Sequence, residues 1–225
     1  MIKKIFQKLL HKSGKSYTID SRIPSSLFFY TLKTRGFMLF RGLLFLRKKV
    51  FLGKNCTILN KKNICFGKNV TIEQSTRLDG YAYEKIILSN NVRIGAYSYL
   101  TCTSHMSKYG KGLKMGENSA IGDFTHFGAS GGIEIGDNVI MGSYISFHSE
   151  NHNFKNKEIL IREQGVTSKG IKLGNNIWVG AKVTFLDGSC IGDNSVVAAG
   201  AVVSGIFPEN SIIGGIPAKV LKQID

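Results

Sequence analysis

Leu173, Val179, Phe185, Ile191, Val197 and Val203 stand six residues apart without a slip. That step matches neither the amphipathic helix, with its period of about 3.6 residues, nor the two-residue alternation of a half-buried strand. A period of six with one obligatory apolar position fits a coil with three short flat sides. The apolar residue of each six points into the coil, and Gly or Asn makes the corner. The expected fold is all-β, a hexapeptide-repeat parallel β-helix.

The same step recurs upstream with interruptions. It runs 52, 58, 64, shifts by two, and resumes at 66, 72, 78. It returns at 88, 94, 100, then at 115, 121, 127 and at 135, 141, 147. Three sixes close one turn, so the chain holds about seven stacked turns around a continuous column of Ile, Val, Leu and Phe. Two stretches break the pattern: 103–114, TSHMSKYGKGLK, and a longer excursion at 148–172, which opens HSENHNFKN. The tail, 206–225, leaves the register and reads as a last strand followed by a short capping helix.

Charge divides the chain into a basic arm, 1–50, and a β-helical domain, 51–225. The arm carries twelve Lys and Arg against one acid, Asp20, for a net +11 of the total +15. No RNA- or DNA-binding motif accompanies it, so nucleic acid is not an expected partner. Anionic lipid, an anionic glycan precursor or plain solubility fits better. Within the arm, LFFYTLKTRGFMLFRGLLFL at 27–46 is rich in Phe and Leu, but Lys33, Arg35 and Arg41 interrupt it. Central charges cost roughly 2.5–3.5 kcal/mol each on insertion scales, which argues against a membrane span. The stretch reads as a helix that packs on the first coil or lies at a membrane surface. The start, MIKKIFQKLLHKSGKSYT, lacks the apolar core and cleavage site of a signal peptide. Cys56, Cys65, Cys102 and Cys190 show no CxxC pairing and read as small buried side chains in a reducing compartment. A cytoplasmic location follows, at the inner face of the membrane if the arm touches lipid.

A solenoid does not by itself imply a reaction, so chemistry is sought where the repeat breaks. His148 and His152 lie in the long excursion, and His126 lies on the coil before it, in GDFTHFGA. An isolated His is usually a surface or capping residue. Here three of the five histidines flank one break, and imidazole can accept a hydroxyl proton near neutral pH.

Four motifs taken together carry a resemblance. They are S-E-N-H-N at 149–153, I-W-V-G-A at 177–181, I-G-D-N-S-V-V-A-A-G-A-V-V at 191–203 and G-G-I-P-A-K-V at 214–220. Over roughly 115–222 the chain resembles the hexapeptide-repeat O-acetyltransferases that use acetyl-CoA. These include the galactoside and maltose enzymes, the streptogramin enzymes and the bacterial lipopolysaccharide and capsule O-acetyltransferases. The resemblance implies a left-handed coil, against the usual right-handed crossover. It implies a homotrimer with each acetyl-CoA cleft between neighbours.

The resemblance also implies roles. His152 matches the general base that deprotonates the acceptor hydroxyl, which attacks the thioester directly. The amide of Ala181 matches the oxyanion donor. Trp178 stands where the family places an aromatic beside thioester or acceptor; without that match it would read as an outward corner residue. His126 and Asn151 fall at acceptor-binding positions. Gly180, Ala199 and Ser204 match contacts along the pantetheine arm. Lys219 and Lys222 match the basic residues near the 3′-phosphate, where lysine offers a point charge. S-G-I-F-P at 204–208 departs from the pattern: Gly205 and Ile206 stand where relatives often carry Lys and an acid.

The expected function is transfer of acetyl from acetyl-CoA to a sugar hydroxyl of a bacterial surface polysaccharide or its precursor, with no metal. Three alternatives stay open. One is an N-acetyltransferase on an amino-sugar nucleotide. Another is a metalloenzyme like the γ-class carbonic anhydrases, with His126, His148 and His152 as zinc ligands. The spacing tells against it, because His148 and His152 are four apart and that family's pair is five apart. The third is a non-catalytic scaffold trimer.

Overall fold

The computed structural model describes residues 2–12 and 18–225; Met1 and 13–17 of the basic arm lie outside the described residues. Three parallel sheets form the sides of a prism. Face 1 stacks Phe51–Leu52, Thr71–Ile72, Arg93–Ile94, Ala120–Ile121, Ile140–Met141, Trp178–Val179, Val196–Val197 and Ser211–Gly215. Face 2 stacks Thr57–Leu59, Arg77–Asp79, Tyr99–Thr101, His126–Gly128, Ser146–His148, Thr184–Leu186 and Val202–Val203. Face 3 stacks Ile64–Phe66, Ile86–Leu88, Leu113–Met115, Ile133–Ile135, Ile171–Leu173, Cys190–Ile191 and Ile206–Phe207. The seven strands of face 2 correspond to the seven turns expected from the period.

The six-residue positions are the inward ones. Of the expected set, all are buried except Ile58 and Phe66, which are half-buried at the open end of the first coil. Phe127, Phe147 and Phe185 stack ring on ring inside face 2, with centroids 5.3 and 5.0 Å apart. The apparent shift by two at 64–66 is not a corner. Ile64 and Phe66 are alternate residues of one strand and both point inward, while Cys65 between them is exposed. That corrects the expectation for Cys65. Cys102 is fully buried, and burial, with the charge of Asp79, pushes its thiol up to about 12. Cys56 and Cys190 are half-buried, and all four cysteines are free.

The corner from face 3 to face 1 is an asparagine ladder. Asn69, Asn91, Asn118, Asn138, Asn176, Asn194 and Asn210 all hold φ of 54–60°, a region that Asn tolerates far better than branched residues. Side-chain amides pass hydrogen bonds up this ladder, from Asn69 to Asn91 at 3.1 Å and from Asn91 to Asn118 at 2.9 Å. The step from face 3 to face 1 and from face 1 to face 2 is six residues in every coil. All variation in coil length falls at the third corner, from face 2 to face 3. Both breaks, 103–114 and 148–172, therefore project from the same edge of the prism. The strand Leu113–Met115 takes up the last residues of the first break.

Helix α1 (Ile2–Lys12) and helix α2 (Ser25–Arg41) precede the coils, and α2 continues through a wider turn at Gly42–Leu46. Phe6 meets Phe28 edge to face at 5.0 Å. Leu46 joins the core of the coils and Met38 is buried beside Gly53, so α2 seats on the first coil. Arg35 donates to Thr71 Oγ1 at 3.0 Å and lies 3.6 Å over the Phe51 ring, and Arg41 Nε donates to the Leu52 carbonyl at 2.8 Å. Gly42 permits the close approach: a Cβ there would sit 1.9 Å from the Val50 carbonyl oxygen.

The expected capping helix over 206–225 does not form. Ile206–Phe207 is the last strand of face 3, and Ala218–Gln223 turns back antiparallel against Ser211–Gly215. The physical reason is the open edge of face 1. A helix would leave the amides and carbonyls of Ser211–Gly215 without a partner on that side, whereas a returning strand pairs them.

Candidate active site

The candidate residues fall into three groups. The first lies on the outer surface of face 1 and its corner with face 2. Trp178 points outward and is 58% exposed. It stands in register with Ile140 before it and Val196 after it, and Val196 pairs in turn with Ile212 and Ile212 with Lys222. Trp178 and Lys222 thus share one outer column, three strand spacings or about 14 Å apart.

The final strand adds a detail. Lys219 pairs with Gly214, Val220 with Ile213 and Lys222 with Ile212, so Leu221 is an extra, bulged residue. Gly214 and Ile212 are alternate residues, so the bulge returns Lys219 and Lys222 to the same outer side. Gly180 lies at the corner, where a Cβ would meet the Ala199 amide nitrogen at 2.4 Å. Ala181 and Ala199 are therefore stacked neighbours on consecutive coils. The Ala181 amide donates to no group among the described residues. The amides of Ser143 and Ala199, in the same corner of adjacent coils, are equally unpaired, whereas the equivalent Ala96 amide donates to Asp123 Oδ1 at 2.8 Å.

The second group lies on the outside of face 2. His126 is in register with Tyr99 and Ser146, and its ring stacks on Tyr99 at 5.9 Å and 19°. The His148 ring is also 5.9 Å away, and His148 Nε2 shares a hydrogen bond with Ser146 Oγ at 2.8 Å. The outer edge of His126 meets solvent, but the rings on either side strip part of its hydration. That desolvation, with the charge of His148 as a lesser cause, holds the His126 imidazole below its usual value of 6.5.

The third group is the excursion. Asn151–His152 pairs antiparallel with Val166–Thr167, and both Asn151 and His152 are exposed. Gln164 braces the loop: its Nε2 donates to the Asn156 and Ile159 carbonyls at 2.7 and 2.8 Å, and its Oε1 accepts from the Asn156 amide. A cleft of about 790 Å³ opens beside His152, bounded by Asn153, Phe154, Ile159 and Thr167. Among the described residues nothing hydrogen-bonds the His152 ring.

Within one chain these groups do not converge. Face 2 separates the Ala181 corner from the excursion, and the cleft beside His152 contains none of Trp178, Gly180 or Ala181. Ser204 follows Val202–Val203 at the corner from face 2 to face 3, across that face from Ala199. Asn151 stays with His152, and Lys219 with Lys222. His126 and His148 are together, but His152 is not with them. Among the described residues no group of three His, Cys, Asp or Glu side chains has the geometry to hold a metal.

Two features escaped the sequence reading. Glu150 joins the two breaks, lying 3.1 Å from Ser104 Oγ and 3.7 Å from Lys108 Nζ, while Lys108 donates to Ser168 Oγ at 2.6 Å. The only signal for it was that all these residues stand in interruptions of the repeat. The other is an exposed ladder of rings in the Ala181 corner. Tyr97, Phe124 and Tyr144 each hold φ of 56–62° and stack at 5.0 Å. Bulky residues are uncommon in that backbone region, which this corner adopts in every coil.

Comparison with known proteins bears on what this arrangement is for. The family profile described as "Bacterial transferase hexapeptide (six repeats)" matches residues 170–205. The chain is 32% identical over 169 residues to "Putative acetyltransferase SACOL2570" of Staphylococcus aureus (strain COL), covering 73% of this chain and 79% of that protein. It is 28% identical over 175 residues to "Putative lipopolysaccharide biosynthesis O-acetyl transferase WbbJ" of Escherichia coli (strain K12), covering 75% and 76%. Among solved structures, a galactoside acetyltransferase in complex with coenzyme A superposes with a TM-score of 0.52 at 28% identity. That match covers 60% of this chain and 64% of the other.

Proposed function

The chain belongs to the hexapeptide-repeat acetyltransferase family, and from that we propose that it transfers acetyl from acetyl-CoA to a hydroxyl of a sugar in a surface polysaccharide or its precursor. The observation that carries the reading is the outer column of face 1. Trp178, the Gly180–Ala181 corner, Ala199, Lys219 and Lys222 lie along one edge, with Val196 and Ile212 between the aromatic and Lys222 and small residues at the corner beside them. An extended pantetheine arm fits along such an edge, with its thioester beside Trp178 and Ala181 and its phosphates toward the lysines. Kinship with the lipopolysaccharide O-acetyl transferase and the galactoside enzyme supports a sugar hydroxyl as acceptor.

In this reading three copies pack side by side, and the excursion of one lies against the Ala181 corner of the next. The separation of His152 from Ala181 within one chain supports that assembly, and so does the exposed ring ladder of Tyr97, Phe124 and Tyr144. A ring nitrogen of His152 takes the proton of the acceptor hydroxyl as its oxygen attacks the thioester carbon. The Ala181 amide donates to the oxyanion. Collapse expels the CoA thiolate, which recovers the proton from the imidazolium, leaving the acetyl ester and free CoA. Asn151 and His126 contact the acceptor. Gly180 and Ser204 contribute to the pantetheine wall, Ser204 from the neighbouring copy's edge.

The test is a screen of the purified protein with acetyl-CoA and a panel of glycans, nucleotide sugars and lipid-linked sugars. Mass spectrometry reads the gain of one acetyl group, and hydroxylamine distinguishes an ester from an amide. An ester on a sugar is expected. An amide product on an amino sugar would replace O-transfer by N-transfer, and failure to bind acetyl-CoA would remove the enzyme reading altogether.

A further inference from the structure

Helix α2 is apolar on two sides, and one of them is largely exposed, with Tyr30 and Phe37 at its border lining a cleft against Gly53 and Glu73. Met38 and Leu46 are buried where the helix meets the first coil, and Phe28 is buried against Phe6 of α1. On the other side, Tyr30, Phe37, Phe40 and Leu44 are 54–67% exposed and recur, with exposed Lys33, at steps of three and four. A stripe at that spacing is one continuous face of a helix. Exposed aromatic and aliphatic residues in such number mark an interaction surface.

We propose that this stripe, with the adjacent end of the first coil, docks on an anionic phospholipid bilayer, α2 lying in the plane of the interface. Three observations select that partner. The first is charge. Exposed Arg47, Lys48 and Lys49 follow the helix directly, and the arm as a whole carries a net +11. Such a surface is attracted by anionic headgroups and repels a second copy of itself. The second is length and polarity. Among the described residues no helix is long and apolar enough to cross a membrane, so the stripe lies on the bilayer rather than through it. The third is a cleft of about 760 Å³ where the helix ends. Its floor is Leu46, Leu52 and Ile58, and its rim carries Arg41, Lys61 and Lys62. Phe45 lines it too, joining it to the stripe. An apolar floor under a cationic rim suits a phospholipid, with the phosphate at the rim and the glycerol and upper acyl chain below. The proposal does not depend on the transfer reaction.

Co-sedimentation of the full chain with vesicles tests it. Binding is expected to phosphatidylcholine vesicles containing phosphatidylglycerol, with release by high salt, and much weaker binding to phosphatidylcholine alone. Replacing Arg47, Lys48 and Lys49 together by Gln is expected to lower binding about a hundredfold at low salt, at about 1 kcal/mol per basic residue. The triple variant Phe37→Ser, Phe40→Ser, Leu44→Ser is expected to abolish it. These side chains are exposed, so circular dichroism should be unchanged; should that variant misfold, the charge variant and the salt titration decide. Wild-type protein that stays in the supernatant, or binds neutral and anionic vesicles equally, overturns the proposal. So does a folded stripe variant that binds vesicles fully but has a lower mass by light scattering, which would make the stripe an interface between copies.

Discussion

Replacing His152 by Ala removes an exposed imidazole from a two-stranded excursion that Gln164 and Asn153 hold through their own hydrogen bonds. The ring makes no hydrogen bond among the described residues and fills no core space, so the cost to stability should stay within about 0.5 kcal/mol. Apart from Ser204, the residues assigned to acetyl-CoA stand at another edge of the prism, and the His152 ring is assigned no contact with the cofactor, so cofactor affinity should change little. The catalytic loss should be large, because a sugar hydroxyl is a poor nucleophile without a positioned base. General-base catalysis contributes roughly 10²- to 10⁴-fold, or about 2.7–5.5 kcal/mol of activation free energy. The assay is kcat/KM by thiol release on the acceptor found in the screen, alongside calorimetry with CoA and a thermal melt. His148→Ala is the control: its ring is turned to Ser146 on face 2, and its loss should cost far less. A dead His148→Ala beside an active His152→Ala would refute the assignment. Activity lost to a chelator and restored by zinc would replace the transferase reading with a metal one.

Lys219→Ala with Lys222→Ala should weaken CoA by roughly twofold to thirtyfold, given about 0.2–1 kcal/mol for each exposed ionic contact. Dephospho-CoA should be spared; calorimetry showing equal losses for both ligands would mean these lysines do not read the 3′-phosphate. Phe147→Ala empties the middle of the Phe127–Phe147–Phe185 stack and should cost about 3–5 kcal/mol, read from denaturant melts. Because His126 is held below 6.5 in the folded chain, the unfolded chain binds a proton first as pH falls. Stability should therefore be at its full value above the unfolded-state pKa and decline as pH drops through the folded one. His126→Gln should flatten that decline in melts taken between about pH 7 and pH 5.

Some of this protein is written in local sequence and some is not. The step from Leu173 through Val203 names one inward residue on each side, because the six-residue period returns that position to the interior; the residue two before it, from Ile171 to Ala201, is buried as well. The turn count, the asparagine corners and the breaks that carry His152 follow from the same local rule. Residues far apart in sequence obey no such rule. Glu150 reaches Ser104 and Lys108 only because both breaks leave the prism at one corner, and Ser104 stands 46 residues before it, outside the repeat.

Lys219 and Lys222 share a side through a bulge at Leu221, in a segment expected to form a capping helix because it leaves the six-residue register. The open edge of Ser211–Gly215 decides for a strand instead, since backbone groups left open at the end of a stack need partners. The distance between His152 and Ala181 is likewise a tertiary fact. It arises from the width of face 2, and it is what makes a neighbouring copy necessary to the proposed site. The two-sidedness of α2 was hidden as well, because a sequence rich in Phe and Leu all round does not say which side the first coil will take.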